Sequence, residues 1–236
     1  MVKDSVGTLY VVATPIGNLE DITLRALRIL KEVPLVAAED TRVTRTLFRA
    51  HDIHTPLASF HEFTSSSRRG RLIERLAEGD VALVSDAGTP GVSDPGFPLI
   101  RDALSAGHDV VPVPGASSVI SALVASGLPT HAFGFLGFLP RTSGGRRKLF
   151  QQHADDEMTL VVFESPHRVL NALKDLIATL GTDRPVAVGR ELTKRFEEVF
   201  RGTAAAALEH FVQHPPRGEF TLVIGSRSAP VPGEAV

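Results

Sequence analysis

The sequence predicts an α/β protein of two domains, the first built on a mostly parallel sheet and the second on a mixed sheet. Three observations predict it. From residue 8 to residue 113, short β-rich runs alternate with stretches of helical periodicity, the pattern of a parallel sheet flanked by helices. The PVPG segment at 112–115 breaks that alternation in the manner of a hinge. Beyond it the apolar runs continue, and residues 197–202 read as a strand folding back on the one before it, which makes the second sheet mixed.

The elements follow in order. Residues 8–13 read as a buried strand and 22–32 as a helix, with Leu24, Leu27 and Leu30 at steps of three and Asp21 as its cap. Residues 35–38 form a short strand, and 41–50 a helix with arginines on its polar face. An Arg-rich helix covers 65–78 and ends at Gly79; a strand follows at 81–84. A helix at 97–106 is closed by Gly107, and 109–113 is the last strand of the first domain, which spans 1–113. In the second domain, 118–226, the stretch 132–138 is apolar throughout, strands lie at 159–163, 185–188 and 220–224, and helices at 166–180 and 204–214. The segment 227–236, with two Pro and a Gly, is expected to be a disordered tail. The chain contains no internal repeat.

Composition narrows the function. Hydrophobic residues make up 43% and charged residues 22% of 236 residues, ordinary for a globular protein with a real core. No long uncharged apolar run suggests a membrane span, and the opening residues 1–4 lack the apolar stretch of a leader, so a cytoplasmic protein is expected. The absence of Cys removes disulfides, thiolate metal sites and a cysteine nucleophile. A net charge of −2 restricts any nucleic-acid binding to a local basic patch. With no Trp and one Tyr, a track that stacks many bases is not expected.

The standard phosphate cradles, GxxxxGK[ST] and GxGxxG, are absent, as is HExxH. The pairs His51/His54 and His210/His214 are better explained by a helix surface than by a metal, so no metal is expected. Attention falls on the loops that follow strands, because ligands of open parallel sheets sit there. TPIGNL at 14–19 is either a tight strand–helix connection or a place where backbone approaches a ligand. SDAGTPGVSDPG at 85–96 is the most informative stretch. It is long, rich in Gly and Pro, and carries two Asp after a buried strand, where an acid can pair with a ribose, an amine or a sulfonium. PGASS at 114–118 offers Ser117 or Ser118 as a helix cap, or amides to a carboxylate. EDTR at 39–42, FESPHR at 163–168 and ELTK at 191–194 each place acid and base together after a strand. Taken singly they read as ion pairs; their shared position argues for one composite site. Basic clusters lie at Arg68, Arg69 and Arg71 and in RTSGGRRK at 141–148, whose Gly-Gly and Ser read as a flexible loop suited to a phosphate backbone.

In order, TPIGNL, EDTR, SDAGTPGVSDPG, PGASS, FESPHR, ELTK and GEFTL resemble the small-subunit ribosomal RNA methyltransferases of the tetrapyrrole methylase superfamily, across residues 7–226. The resemblance implies a two-domain tetrapyrrole-methylase-like fold, a cofactor cleft between the domains and a homodimer. It implies methyl transfer from S-adenosylmethionine to the 2′-hydroxyl of a cytidine in the decoding region of small-subunit rRNA, with the RNA or the 30S subunit as partner. Cofactor contacts carry over onto Pro15, Asp86, Gly88, Thr89, Ser117, Ser118, Phe163, Leu192 and Thr221. Tetrapyrrole methylases have GxGPG in the first loop; TPIGNL is what the RNA-modifying branch shows. Glu39, Asp40 and Lys194 are the candidates for handling the proton and the ribose, and Arg42, Arg45, Arg141, Arg146, Arg147 and Lys148 for holding RNA. Two other readings compete: a methylase of a small tetrapyrrole-like substrate, and an RNA-binding assembly factor without chemistry.

Overall fold

The computed structural model describes residues 7–61 and 64–232. The opening residues 1–4 lie outside the described residues, as does the end of the expected tail, 233–236. The chain divides into two compact units, Met1–Ser117 and Ser118–Val236.

The first unit contains β1 (Leu9–Val12), α1 (Leu24–Glu32), β2 (Leu35–Ala38), α2 (Thr41–Ala50), β3 (Leu57–Ser59), α3 (Ser66–Glu78), β4 (Val81–Val84), α4 (Phe97–Ser105) and β5 (Val110–Val113). The strands lie in the order β3-β2-β4-β1-β5, and every pairing is parallel. The central strand β4, VALV, is buried along its length because both faces are covered. Ala82 and Val84 face Ile29, Leu30 and Phe48 of α1 and α2. Val81 and Leu83 face Leu72, Leu76 and Leu99 of α3 and α4.

Two local expectations are corrected. Helix α1 begins at Leu24 rather than residue 22, and its cap is Thr23, whose hydroxyl accepts from the Ala26 amide at 3.1 Å. Asp21 instead ends a short 3-10 turn capped by Asn18. The buried stripe of α1 is Ala26, Ile29 and Leu30, whereas Leu24 is 86% exposed. The three-residue strand β3, LAS, is too short to show alternation and was not anticipated.

The second unit contains α5 (Ser118–Ala125), β6 (Phe133–Phe138), α6 (Ser143–Gln152), β7 (Thr159–Glu164), α7 (Val169–Leu180), β8 (Pro185–Arg190), β9 (Glu198–Thr203), α8 (Ala204–Gln213) and β10 (Phe220–Ile224). The order is β6-β7-β10-β8-β9. Only β6–β7 is parallel; the other pairs are antiparallel. Its core packs Phe150 of α6, Leu173 and Leu176 of α7 and Phe211 of α8 against Leu160, Val188 and Leu222.

The flexible basic loop expected at 141–148 is a helix start. Thr142 caps α6 by accepting from the Gly145 amide. Gly145 is required by space rather than flexibility: a Cβ there would lie 2.9 Å from both Pro140 Cβ and Thr142 Oγ1. Arg146 is buried. Its Nε and Nη2 donate to Asp175 Oδ2 at 2.8 and 2.7 Å, and Nη1 donates to the Arg141 carbonyl. Ser143 Oγ and Arg147 Nε donate to Asp175 Oδ1 at 2.6 and 2.8 Å. Burial would push the Asp175 carboxyl up, but these donors outweigh it and hold it below the usual range. Beyond β10, Ser228 donates to Glu157 and Pro232 is buried, so the described part of the expected tail, 227–232, is in contact with its unit.

Among the described residues, no helix is long and apolar enough to cross a membrane, and no group of three His, Asp or Glu is placed to hold a metal ion.

Removing Asp175 strands the buried Arg146 guanidinium. Asp175→Ala should lower unfolding free energy by about 3–5 kcal/mol in urea titration, whereas Arg147→Ala, whose side chain is 56% exposed, should cost under about 1 kcal/mol. The Asp175 contribution is complete above the unfolded carboxyl pKa, about 3.9, and is lost as pH falls through the depressed folded value.

Candidate functional site

Parallel pairing brings the loops after β1, β2, β4 and β5 to one edge of the first sheet. Thr14, after β1, and Gly88, after β4, exchange backbone bonds of 2.9 and 3.0 Å. Thr14 Oγ1 donates to the Ser85 carbonyl at 3.2 Å. Gly88 has φ +72, a left-handed conformation that glycine adopts without strain. Gly115, after β5, approaches β1 so closely that a Cβ would sit 3.1 Å from Ala13 Cβ. Pro15 is buried beside this junction, and Thr89, Ser117 and Ser118 are half-buried, with Ser118 opening α5.

The loops after β2 and β4 are locked reciprocally. The Asp40 amide donates to Asp86 Oδ1 at 3.0 Å, and the Asp86 amide donates to Glu39 Oε2 at 3.1 Å. Three residues from two motifs 46 positions apart thus form one unit. The packed strand ends hold the Asp86 carboxyl above the usual range even though its rim is open, with Asp40 adding repulsion. Asp86 Oδ2 has no hydrogen-bond partner among the described residues. Asp40 behaves oppositely. It caps α2 by accepting from the Arg42 amide, and both its oxygens take the Arg42 guanidinium, at 2.6 Å in the shortest contact. Hydrogen bonds from Arg42 lower its pKa to about 2.

In the second unit, three motifs meet on one row of the sheet. Thr221 of β10 is in register with Phe163 of β7 on one side and Gly189 of β8 on the other. Leu192 folds back over Gly189, 3.2 Å from where a Cβ would be. Phe163 packs edge-on against Phe135 and Phe138 at 4.9 and 5.4 Å. Next to Phe163, Glu164 is buried; Oε1 takes the Ser165 amide and the Arg168 guanidinium, while Oε2 has no partner.

The ELTK motif forms a strained turn. Glu191 and Thr193 have φ 50 and 65, uncommon for residues with a Cβ and costly for a β-branched one. Lys194 Nζ reaches Glu191 Oε1 and Glu219 Oε2, both at 2.9 Å, and the Glu219 amide donates to Glu191 Oε1 at 2.9 Å. Desolvation pulls the Lys194 pKa down, but the two carboxylates prevail and raise it. Lys194 is therefore a fixed cation. Glu219 and Gly218 were not singled out from sequence beyond the GEFTL motif; the signal was the glycine before an acid and a strand.

The RNA candidates separate by pairing. Arg45, Arg141 and Lys148 are exposed. Arg42 and Arg147 are exposed but committed to Asp40 and Asp175. Arg146 is buried and structural, so its expected place in the RNA-binding set is corrected.

A parallel sheet with a locked, glycine-containing strand-end cradle is the arrangement of an α/β protein that binds a ligand at its strand ends. Residues 8–208 match the family described as Tetrapyrrole (Corrin/Porphyrin) Methylases. Over 93% of this chain and 97% of the other, the fold is similar to a solved structure of uroporphyrin-III C-methyl transferase from Thermus thermophilus complexed with S-adenyl homocysteine, at TM-score 0.62 and 26% identity. A diphthine synthase structure is similar over 94% of this chain and 91% of the other, at TM-score 0.72 and 16% identity, which speaks to the fold alone. Relatives called Ribosomal RNA small subunit methyltransferase I are much nearer in sequence. The protein of Halalkalibacterium halodurans is 47% identical over 99% of this chain and 81% of its own. That of Thermotoga maritima is 46% identical over 94% and 99%. The chain belongs to the ribosomal RNA small subunit methyltransferase I family, within the tetrapyrrole methylases.

The turn at 191–194 depends on Gly218, which has φ +79 and where any Cβ would overlap the Glu191 carboxylate. Gly218→Ala should lower stability by more than about 1 kcal/mol in chemical denaturation.

Proposed function

We propose that the chain transfers the methyl group of S-adenosylmethionine to the 2′-hydroxyl of one cytidine in the decoding region of small-subunit ribosomal RNA, acting as a homodimer. The observation that supports it best is the Glu39–Asp40–Asp86 lock beside the Thr14–Gly88 cradle, in a chain whose relatives are named for methylating that RNA. Related folds act on tetrapyrroles, but TPIGNL departs from the GxGPG of those enzymes.

The cradle suits the cofactor chemically. Asp86 presents a free carboxylate oxygen to a ribose hydroxyl, an ammonium or a sulfonium, and Gly88 leaves room for close approach. Pro15, Thr89, Ser117 and Ser118 would join Asp86 in holding the cofactor, and Phe163, Leu192 and Thr221 are the further cofactor contacts that the family resemblance supplies. The cofactor, when bound, supplies an activated methyl group. The protein must hold the ribose oxygen in line with it, and alignment alone can lower a barrier by about 7–11 kcal/mol in the best cases. Of the three residues nominated for the proton, Asp40 is a poor acceptor because Arg42 holds it at about 2. Lys194 is held protonated and orients rather than accepts. Glu39, which takes the Asp86 amide at 3.1 Å, is the carboxylate nominated for the proton.

Incubation with labelled S-adenosylmethionine and, separately, purified small subunits, naked rRNA and a porphyrinoid tests the reading. Label in 2′-O-methylcytidine is the expected result; label in a base, or in the porphyrinoid alone, would overturn it. Asp86→Asn keeps an acceptor for the Asp40 amide and removes the charge, so calorimetry should show cofactor affinity reduced about tenfold or more in a folded protein. Unchanged affinity would remove Asp86 from the site. For RNA, Arg141→Gln with Lys148→Gln should flatten the dependence of log affinity on log salt by about 1.4, at about 0.7 for each phosphate contact on single strands.

A further inference from the structure

We infer that Arg195 and Phe196, at the tip of the turn between β8 and β9, form a stacking platform for one unpaired nucleobase of the RNA substrate. This rests on the function proposed above and names two residues it does not use.

The turn is built to be rigid up to its tip. Its strained backbones at Glu191 and Thr193 are held by the double ion pair of Lys194. The Lys194 amide donates to the Glu191 carbonyl at 3.0 Å, the Glu197 amide to the Lys194 carbonyl at 3.1 Å, and Glu197 in turn accepts from the Thr193 amide. Strain of this kind persists only where surrounding contacts overdetermine it, and it concentrates at functional sites.

At the tip the contacts stop. Phe196 is 68% exposed. The Arg195 guanidinium lies 5.5 Å from the centre of its ring, and among the described residues Arg195 forms no ion pair. The nearby carboxylates are already engaged: Glu197 by the Thr193 amide, and Glu198 by Arg190 and His210. A planar cation with no carboxylate partner, set against an exposed aromatic ring on a rigid support, matches a base and its phosphate. Every base offers a π-face for stacking, and a guanidinium adds to it by stacking and charge.

Placement on the chain agrees. Leu192, a proposed cofactor contact, and Lys194 are on the same turn. Four residues of extended chain span at most about 14 Å, so the platform stands within reach of a nucleotide adjoining the target. The chain has one Tyr and no Trp, which fits a clamp for a single base rather than a track for many. A ring 68% exposed with only the Arg195 guanidinium against it would otherwise be a liability, and a second copy of the chain is the competing occupant.

Because the chain lacks Trp, Phe196→Trp puts the sole indole at the site. Its emission should quench on titration with single-stranded oligocytidylate RNA. Phe196→Ala should raise KM for small subunits about tenfold, as expected for loss of one base–aromatic stack, with kcat and cofactor affinity within about twofold. Phe196→Tyr should restore KM. Wild-type KM in Phe196→Ala, emission of Phe196→Trp that stays constant while RNA binds by anisotropy, or a dimer-to-monomer shift of Phe196→Ala in sedimentation would each overturn the inference. If the wild-type protein methylates no RNA, the proposed function falls on that result alone, and quenching of the Phe196→Trp emission by RNA still decides the platform.

Discussion

Parallel hydrogen bonding of β1 to both β4 and β5 is the constraint on which the first unit depends. A parallel pair cannot be closed by a tight turn; each strand must be re-entered from the same edge through a crossover. The loops after β1, β2, β4 and β5 therefore fall side by side although up to a hundred residues separate them. Once neighbours, they bond across the gap. Thr14 pairs with Gly88, and the Glu39 and Asp86 carboxylates each take the other loop's amide. Ordering a loop as long as 85–96 costs about 1–2 kcal/mol of backbone entropy per residue, and these bonds, with the left-handed glycines at 88 and 91, explain how a single shape is kept.

In the second unit the register of β10 does the equivalent work. Pairing Thr221 with Phe163 and Gly189 at once lines up residues from three motifs, and the turn after β8 then lays Leu192 over Gly189. A shift of one residue would send each of these side chains to the opposite face. The Glu191–Lys194–Glu219 network fixes the same turn to the start of β10, so the strained turn and the register support each other.

The sequence made the strands and most helices of both units legible because their burial is recorded in apolar runs such as VALV and FTLVI. It pointed to the loops after β1, β2, β4 and β5 through topology and their Gly and Pro content. It did not make β3 visible, since three residues carry no period. It misread Leu24, because steps of three match a helix surface as readily as a core stripe. The left-handed conformations at Glu191 and Thr193 have no local cue, being imposed by Lys194, Glu197 and Glu219. Arg146 shows the largest gap. A run of cations with two glycines reads as a mobile exposed loop, and only Asp175, 29 residues later, makes one of those cations an interior group.

That sorting of cations bears on how RNA would be recognised. A carboxylate beside an exposed guanidinium offsets part of its charge toward a phosphate, although the pair itself is weak. Arg42 and Arg147 are in this position and Arg146 is buried, which leaves Arg45, Arg141 and Lys148 from the set first identified as exposed cations without an ion pair among the described residues. With a net charge of −2, these three cations give little long-range attraction and a modest salt dependence compared with proteins that make six to ten phosphate contacts. Selection of one nucleotide must then come from contacts that read shape and splayed bases. The proposed function thus requires something other than charge at the second unit's surface, and the most exposed aromatic there, Phe196 on its rigid turn, is of the chemistry that requirement specifies.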